Sequence, residues 1–322
     1  MAVYTKLTSK DVLSLSSKYK INEVVKFEGI KKGIENSNYL LKTNKKKFIL
    51  TIFEKRVQKK DLPFFMNLMN KLNQKKIICP KPLKSKNGKL LSIIKGKSAC
   101  IVTFLEGKDK ANLDYKNCFD IGKNIAKLHK ATSKIKLHRE NSMSVSRLDA
   151  LLKSIKFRST KTASKLKSTL NTNLKNIKKE WPKNLPKGII HGDLFIDNIF
   201  FNKNKFSGFI DFYFSSNDYL MYEIAICINA LCFDKKKQKF IMNNQKINNL
   251  IDGYESVRVL TKKEKDSLNV LCRGAALRYL LTRIYDYFNT PKTALIKIKD
   301  PKEYLQKLII HNKLNNYKDY YS

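Results

Sequence analysis

At 322 residues and 42% hydrophobic composition, the chain can bury a full core, as one large domain or as two lobes. Its formal net charge of +39 would ordinarily raise nucleic acid first, but only eight of the 66 basic residues are arginine. Lysine is scattered from Lys6 to Lys318, so the charge reads as a compositional bias over a solvated surface, which argues against a dedicated nucleic-acid partner.

In chain order, residues 24–30, 38–43 and 47–53 are short β-type runs separated by turn-rich segments. Residues 62–72 place apolar side chains at helical spacing, with Pro63 tolerated in the first turn. Two more strands are expected at 90–95 and 98–105, with turns at Asn87-Gly88 and Gly96. After Glu106-Gly107 the pattern turns helical, with amphipathic 117–131 and helices at 147–157 and 163–181, the last stopped by Pro182 and Pro186. Apolar runs 188–190, 199–201 and 206–210 then bracket polar loops. Helices follow at 218–233, 235–255, 261–288 (broken or bent near Gly274) and 301–315. The six cysteines form no C-x-x-C pair and mostly sit in apolar surroundings, which suits buried reduced thiols better than zinc or a disulfide framework. The first residues lack the apolar core of a signal peptide, and no run approaches eighteen apolar residues. A cytoplasmic protein with no membrane span is expected.

The most informative stretch is His191-Gly-Asp-Leu-Phe-Ile-Asp-Asn198, followed by Asp211 in Gly208-Phe-Ile-Asp-Phe212. A carboxylate on a loop after a strand, Asp193, can accept a proton from an attacking hydroxyl. An amide five residues on, Asn198, and a carboxylate ending the next hairpin, Asp211, can hold Mg²⁺ on phosphates. His-Gly-Asp alone is a common tripeptide, and an ordinary polar hairpin could carry it. The joint order of strand, loop, hairpin and carboxylate is far more specific. It resembles the catalytic and metal-binding loops of protein-kinase-like phosphotransferases, in the form used by kinases of small molecules. That resemblance implies an α+β fold of two lobes: a five-stranded N-terminal lobe with one helix (1–105) and a larger, mainly helical lobe carrying the catalytic hairpins (106–322). Residues 103–107 are the hinge candidate, so the backbone of Thr103, Phe104 and Leu105 is expected against the adenine of ATP.

Residues 33–41, 49–56, 61–65, 101–107, 211–218, 273–286 and 299–304 together resemble bacterial homoserine kinases of the aminoglycoside-phosphotransferase-like type, almost without a gap. The resemblance implies ATP and Mg²⁺ as cofactors, L-homoserine as substrate and a place in threonine synthesis. Gly33, Asn36 and Ser37 lie where a loop covering phosphates belongs; glycine permits close backbone approach, and the polar side chains can donate to phosphate oxygens. Related kinases often carry Lys or Arg on the third strand, where this chain has Thr51, so Lys32, Lys55 and Arg56 are the remaining candidates for the phosphate cation. The substrate asks for groups matching an ammonium, a carboxylate and a hydroxyl. Tyr213, Asn217 and Asp218 follow the metal loop, and Arg278, Arg283 and Asp286 share one predicted helix; a structural ion-pair network would account for the last three equally well. Glu223 is expected to brace the catalytic loop and His191 to orient it. The rivals are a same-fold kinase for choline, methylthioribose or hydroxylysine and, from another class, a basic nucleic-acid binder or inactive scaffold.

Overall fold

The structure, a computed structural model, describes residues 3–31, 36–54, 57–290 and 298–321. A helix that the sequence pattern leaves unassigned, α1 (Ser9–Ser16), opens on a capping box. Thr8 Oγ1 accepts from Asp11 N at 3.3 Å while Asp11 Oδ2 accepts from Thr8 N at 2.8 Å. The expected strands follow as β1 (Val24–Gly29), β2 (Ser37–Thr43) and β3 (Lys47–Ile52). After helix α2 (Leu62–Gln74) come β4 (Ser92–Ile94) and β5 (Lys97–Thr103). They form one antiparallel sheet in the order β1-β2-β3-β5-β4. The alternation in these strands decides its two faces. Tyr39, Leu41, Leu50, Ile52 and Ile101 pack under Val12 and Leu15 of α1, whereas Cys100 and Val102 join a second core with Phe65, Met66 and Leu72 of α2.

That second core runs without a break into the helical portion. There the chain forms α3 (Tyr115–Thr132), α4 (Leu148–Ser154), α5 (Lys161–Glu180), β6 (Lys187–Ile190), β7 (Ile199–Asn202), β8 (Lys205–Phe209) and β9 (Ser216–Tyr219). It continues through α6 (Leu220–Leu231), β10 (Phe233–Lys236), β11 (Lys239–Met242), α7 (Asn244–Glu255), α8 (Lys262–Asp266), α9 (Leu268–Asn289) and α10 (Lys302–His311). Nearly every residue of α6 is buried, which explains why it is apolar on all sides. All six cysteines are free and buried, as expected. Among the described residues no helix is long and apolar enough to cross a membrane.

Three expected helices are corrected. Residues 235–255 begin with a hairpin, Phe233 opposite Met242 and Lys235 opposite Phe240, turning at Lys237 with φ +54°. The helix starts only after Asn243, whose side chain accepts from Lys246 N at 3.0 Å; that cap is the local signal that separates the two elements. Residues 218–219 belong to β9, paired with β6, and helix α6 begins at Leu220. The break in 261–288 falls at Ser267, between α8 and α9, and not at Gly274. Gly274 sits inside α9 because a Cβ there would come within 2.4 Å of the Trp181 ring, so the glycine makes room for an aromatic neighbour.

Candidate active site

The loop between β6 and β7 is held from behind. Glu223 on α6, fully buried, accepts hydrogen bonds from His191 N and from Gly192 N, the latter at 3.0 Å. Burial works against its charge, but His129, His191 and the Gly192 amide outweigh it and hold its carboxyl below the ordinary carboxylate range. His191 serves orientation, as expected: its Nε2 lies 2.8 Å from Ile210 O and its ring 4.6 Å from that of Phe212, while burial pushes its pKa down. Gly192 adopts φ +78°, and a Cβ there would meet Phe214 O at 3.0 Å. Glycine is therefore required by this backbone, beyond being small.

Braced in this way, the loop presents Asp193 to a cleft of 1160 Å³ between the five-stranded sheet and the helical portion. Asn198 Nδ2 donates to Asp193 O at 2.8 Å and to Asp193 Oδ2 at 3.2 Å, so its amide oxygen is the atom that could hold a cation. Ile210 N donates to Asn198 O at 3.0 Å and ties the second hairpin to the first. The next residue, Asp211, takes up the left-handed conformation (φ 63°, ψ 58°), rare for a residue with a side chain and characteristic of functional turns. Asp193, Asn198 and Asp211 all line the cleft. One amide oxygen and one carboxylate are hard donors. They fit Mg²⁺, a cation that takes few protein ligands and completes its shell with water and phosphate oxygens.

On the sheet side, Asn36, Asn38, Thr51, Thr103, Phe104 and Leu105 line the cleft. Thr51 Oγ1 donates to Asn38 Oδ1 at 2.8 Å, so the third-strand position is filled by a neutral pair. Ser37 is a correction. It is fully buried away from the cleft, where its Oγ accepts from Tyr4 N at 2.8 Å and Thr5 N at 3.0 Å and donates to Glu54 at 2.7 Å. The strand alternation turns it toward the N-terminal segment. Gly33, Lys32, Lys55 and Arg56 lie outside the described residues.

On the other side, Arg278, Arg283 and Asp286 reach the cleft from α9. Arg283 is committed to structure: its Nη1 bonds Glu303 Oε2 at 2.7 Å and Asp300 O at 2.9 Å, and Lys307 joins the same carboxylate at 2.6 Å. Arg278 is buried beside Asp193. Burial works against its charge, but Tyr279, Tyr222 and Asp193 raise its pKa above that of free arginine. Tyr213 lines the cleft, yet its ring packs edge-on to Phe53 and Phe65 and its hydroxyl points to Cys100 Sγ at 3.9 Å, toward the sheet. Asn217 and Asp218 are corrected, because β9 holds both behind the cleft wall. Asn217 Oδ1 accepts from Arg139 N at 2.9 Å and Asp218 Oδ2 accepts from Asn141 Nδ2 at 2.6 Å. Burial raises the Asp218 pKa.

These two side chains anchor a segment the sequence reading passed over. His138, Arg139, Glu140, Ser142 and Met143 line the cleft. Arg139 links both halves of the molecule: its Nε donates to Asp61 Oδ2 at 2.7 Å, its Nη1 to Ser215 O at 3.1 Å, and its guanidinium lies 5.0 Å over the Phe65 ring. A polar run between two helices was its one local signal, and such runs are usually plain loop.

A carboxylate on a braced loop, with an amide oxygen and a second carboxylate facing the same large cleft, is an arrangement suited to phosphoryl transfer. The signature of the phosphotransferase enzyme family (APH) matches residues 26–260, a span that includes Asp193, Asn198, Asp211 and Glu223. The chain belongs to that family. It is 42% identical over 320 residues to the homoserine kinase of Sinorhizobium medicae, covering 99% of this chain and 97% of that one. The homoserine kinase of Agrobacterium fabrum is also 42% identical, with 99% and 98% covered. Among solved structures, an amicoumacin kinase in complex with AMP-PNP superposes with a TM-score of 0.71 at 14% identity, over 95% of this chain and 92% of that one. That likeness establishes the kinase-like α+β fold. The family match and the full-length similarity to homoserine kinases show an ATP-dependent kinase and do not favour the inactive scaffold.

Proposed function

We propose that this phosphotransferase transfers the γ-phosphoryl group of ATP, with Mg²⁺, to the side-chain hydroxyl of L-homoserine, giving O-phospho-L-homoserine for threonine synthesis. The observation that carries the reading is the end-to-end identity to homoserine kinases, together with the convergence of Asp193, Asn198 and Asp211 in one cleft. Residues 1–105 then form the nucleotide lobe and 106–322 the catalytic and acceptor lobe. Adenine sits against the backbone of 103–105, with Asn36 toward the phosphates.

Asp193 receives the acceptor hydroxyl by hydrogen bond and takes its proton as the oxygen attacks phosphorus. Asn198 fixes that carboxylate through its 3.2 Å bond, and Glu223 fixes the loop beneath it. Asn198 Oδ1 and Asp211 would hold Mg²⁺, which when bound neutralises phosphate charge. The remaining work is positioning and exclusion of water, the usual division in phosphoryl transfer. A cytoplasmic location and a small-molecule acceptor follow from this reading.

The test is ADP release from ATP and Mg²⁺ across L-homoserine, choline, methylthioribose, hydroxylysine and an aminoglycoside, with the product identified by mass. Turnover on homoserine above all others is expected. Preference for another acceptor would retain the mechanism and discard the substrate.

A further inference from the structure

Several arginines reach the cleft, and most are already matched. Arg139 is 2.7 Å from Asp61, Arg147 pairs with Glu140, and Arg283 is 2.7 Å from Glu303. Arg278 differs. It is 3% exposed, and its Nε and Nη1 have no hydrogen-bond partner among the described residues. Its guanidinium lies 4.8 Å over the Tyr279 ring, whose hydroxyl donates to Gly192 O at 3.2 Å, so it is tied to the catalytic loop.

Tyr279, Tyr222 and Asp193 favour the charge itself, but two buried N–H donors without a protein acceptor are still costly to keep. Such a group is accounted for when a ligand completes it. The missing complement is an anion that supplies acceptor oxygens within the cleft, on the α9 side of Asp193. Of the groups on the proposed acceptor, the ammonium is excluded by charge and the hydroxyl is engaged by Asp193. The α-carboxylate remains.

We infer that Arg278 binds the α-carboxylate of the acceptor and thereby sets selectivity for an amino acid over the corresponding amino alcohol. This rests on the homoserine reading above and assigns the residue that enforces it. A carboxylate anchored at Arg278 directs the short side chain and its hydroxyl toward Asp193. An acceptor without a carboxylate leaves the buried guanidinium donors unmet, and a site built this way rejects the incomplete ligand strongly.

The experiment compares kcat/KM for L-homoserine and for 3-aminopropan-1-ol, which lacks only the carboxylate, in the full-length enzyme at saturating ATP. The native enzyme is expected to favour homoserine by about 10³-fold or more. In Arg278→Met the preference should collapse to about 10-fold or less, mainly through loss of kcat/KM on homoserine. Arg278→Lys, which keeps a buried cation but not the guanidinium, should fall between. It carries the test if the methionine variant shows no cooperative melt. Retention of the full preference in a folded variant overturns the inference, as does a native enzyme that uses both acceptors alike. A rise in KM for ATP with the acceptor ratio intact overturns it too, assigning the guanidinium to nucleotide phosphates instead. If the native enzyme ignores homoserine but phosphorylates another acceptor, the proposed function itself fails, and the native acceptor series reports that separately from any variant.

Discussion

Glu223→Gln asks whether a charged carboxylate, and not any polar side chain of that shape, holds the catalytic loop. Both carboxylate oxygens accept from backbone, one from His191 N and one from Gly192 N at 3.0 Å. Glutamine offers one acceptor, so its NH₂ must face one of two buried amides. Glu223 is 0% exposed, and water does not substitute. A hydrogen bond to a charged group contributes about 1.5–3 kcal/mol and a stranded buried donor costs about 1–3 kcal/mol. The variant should therefore lose about 3–4 kcal/mol of stability, a large share of the 5–15 kcal/mol of a typical domain. Asp193 follows Gly192 directly, so a loosened loop should also lower kcat about 10²-fold, with little change in KM for ATP. Urea unfolding can be followed through Trp181, the sole tryptophan, whose ring lies 5.6 Å from that of Tyr222, next to Glu223. ADP release reports kcat. A glutamine variant with the native urea midpoint and native kcat would refute the bracing role.

Asp193→Asn should lower kcat by at least about 10³-fold while leaving the melt intact, since it removes the base and keeps the shape; near-native turnover would sink the assignment. Asp211→Asn tolerates the left-handed backbone but discards the charge, so it should lose activity without losing stability, a combination that separates the ligand role from strain. Gly192→Ala should cost about 1–2 kcal/mol at φ +78°, read as a lower urea midpoint, and an unchanged midpoint would show that the loop relaxes freely. Acid should destabilise the fold through its buried histidines. His311 is buried with its pKa pushed from 6.5 down to about 3, and His129 and His191 are also lowered. A depressed histidine contributes its stability above the unfolded value and loses it as pH falls from 6.5 toward the folded one. From pH 7.5 to 5, His311 alone should cost about 2 kcal/mol, and a flat urea midpoint over that range would contradict its burial as a neutral ring.

The catalytic pattern and most strand positions were legible in the sequence because they are local. Alternation, turn residues and a five-residue spacing from Asp193 to Asn198 are set within one hairpin, and so is the capping box of α1, a signal present but unread. Where the structure departs from the pattern, one cause is local and one is not. The lysines of 235–237 carry no apolar periodicity, so helix and hairpin were indistinguishable until Asn243 was recognised as a cap. Gly274 looked like a bend because glycine in a helix usually signals one, whereas the close approach of Trp181, distant in sequence, decides it.

Which polar side chains reach the cleft was a different kind of question. Ser37 looked like a phosphate donor until Tyr4, Thr5 and Glu54 claimed its hydroxyl, and Asn217 and Asp218 looked like acceptor contacts until the 139–141 segment claimed them. Arg278 and Arg283 are five residues apart on α9, yet Glu303 neutralises one and leaves the other to the cleft. The phosphotransferase chemistry could be read without coordinates, because Asp193, Asn198 and Asp211, the groups proposed as base and ligands, lie in one contiguous stretch with fixed spacing. Only the tertiary structure decided which of the remaining charged and polar groups stay open to a ligand, because a hydrogen bond is satisfied by whichever partner long-range packing brings within about 3 Å.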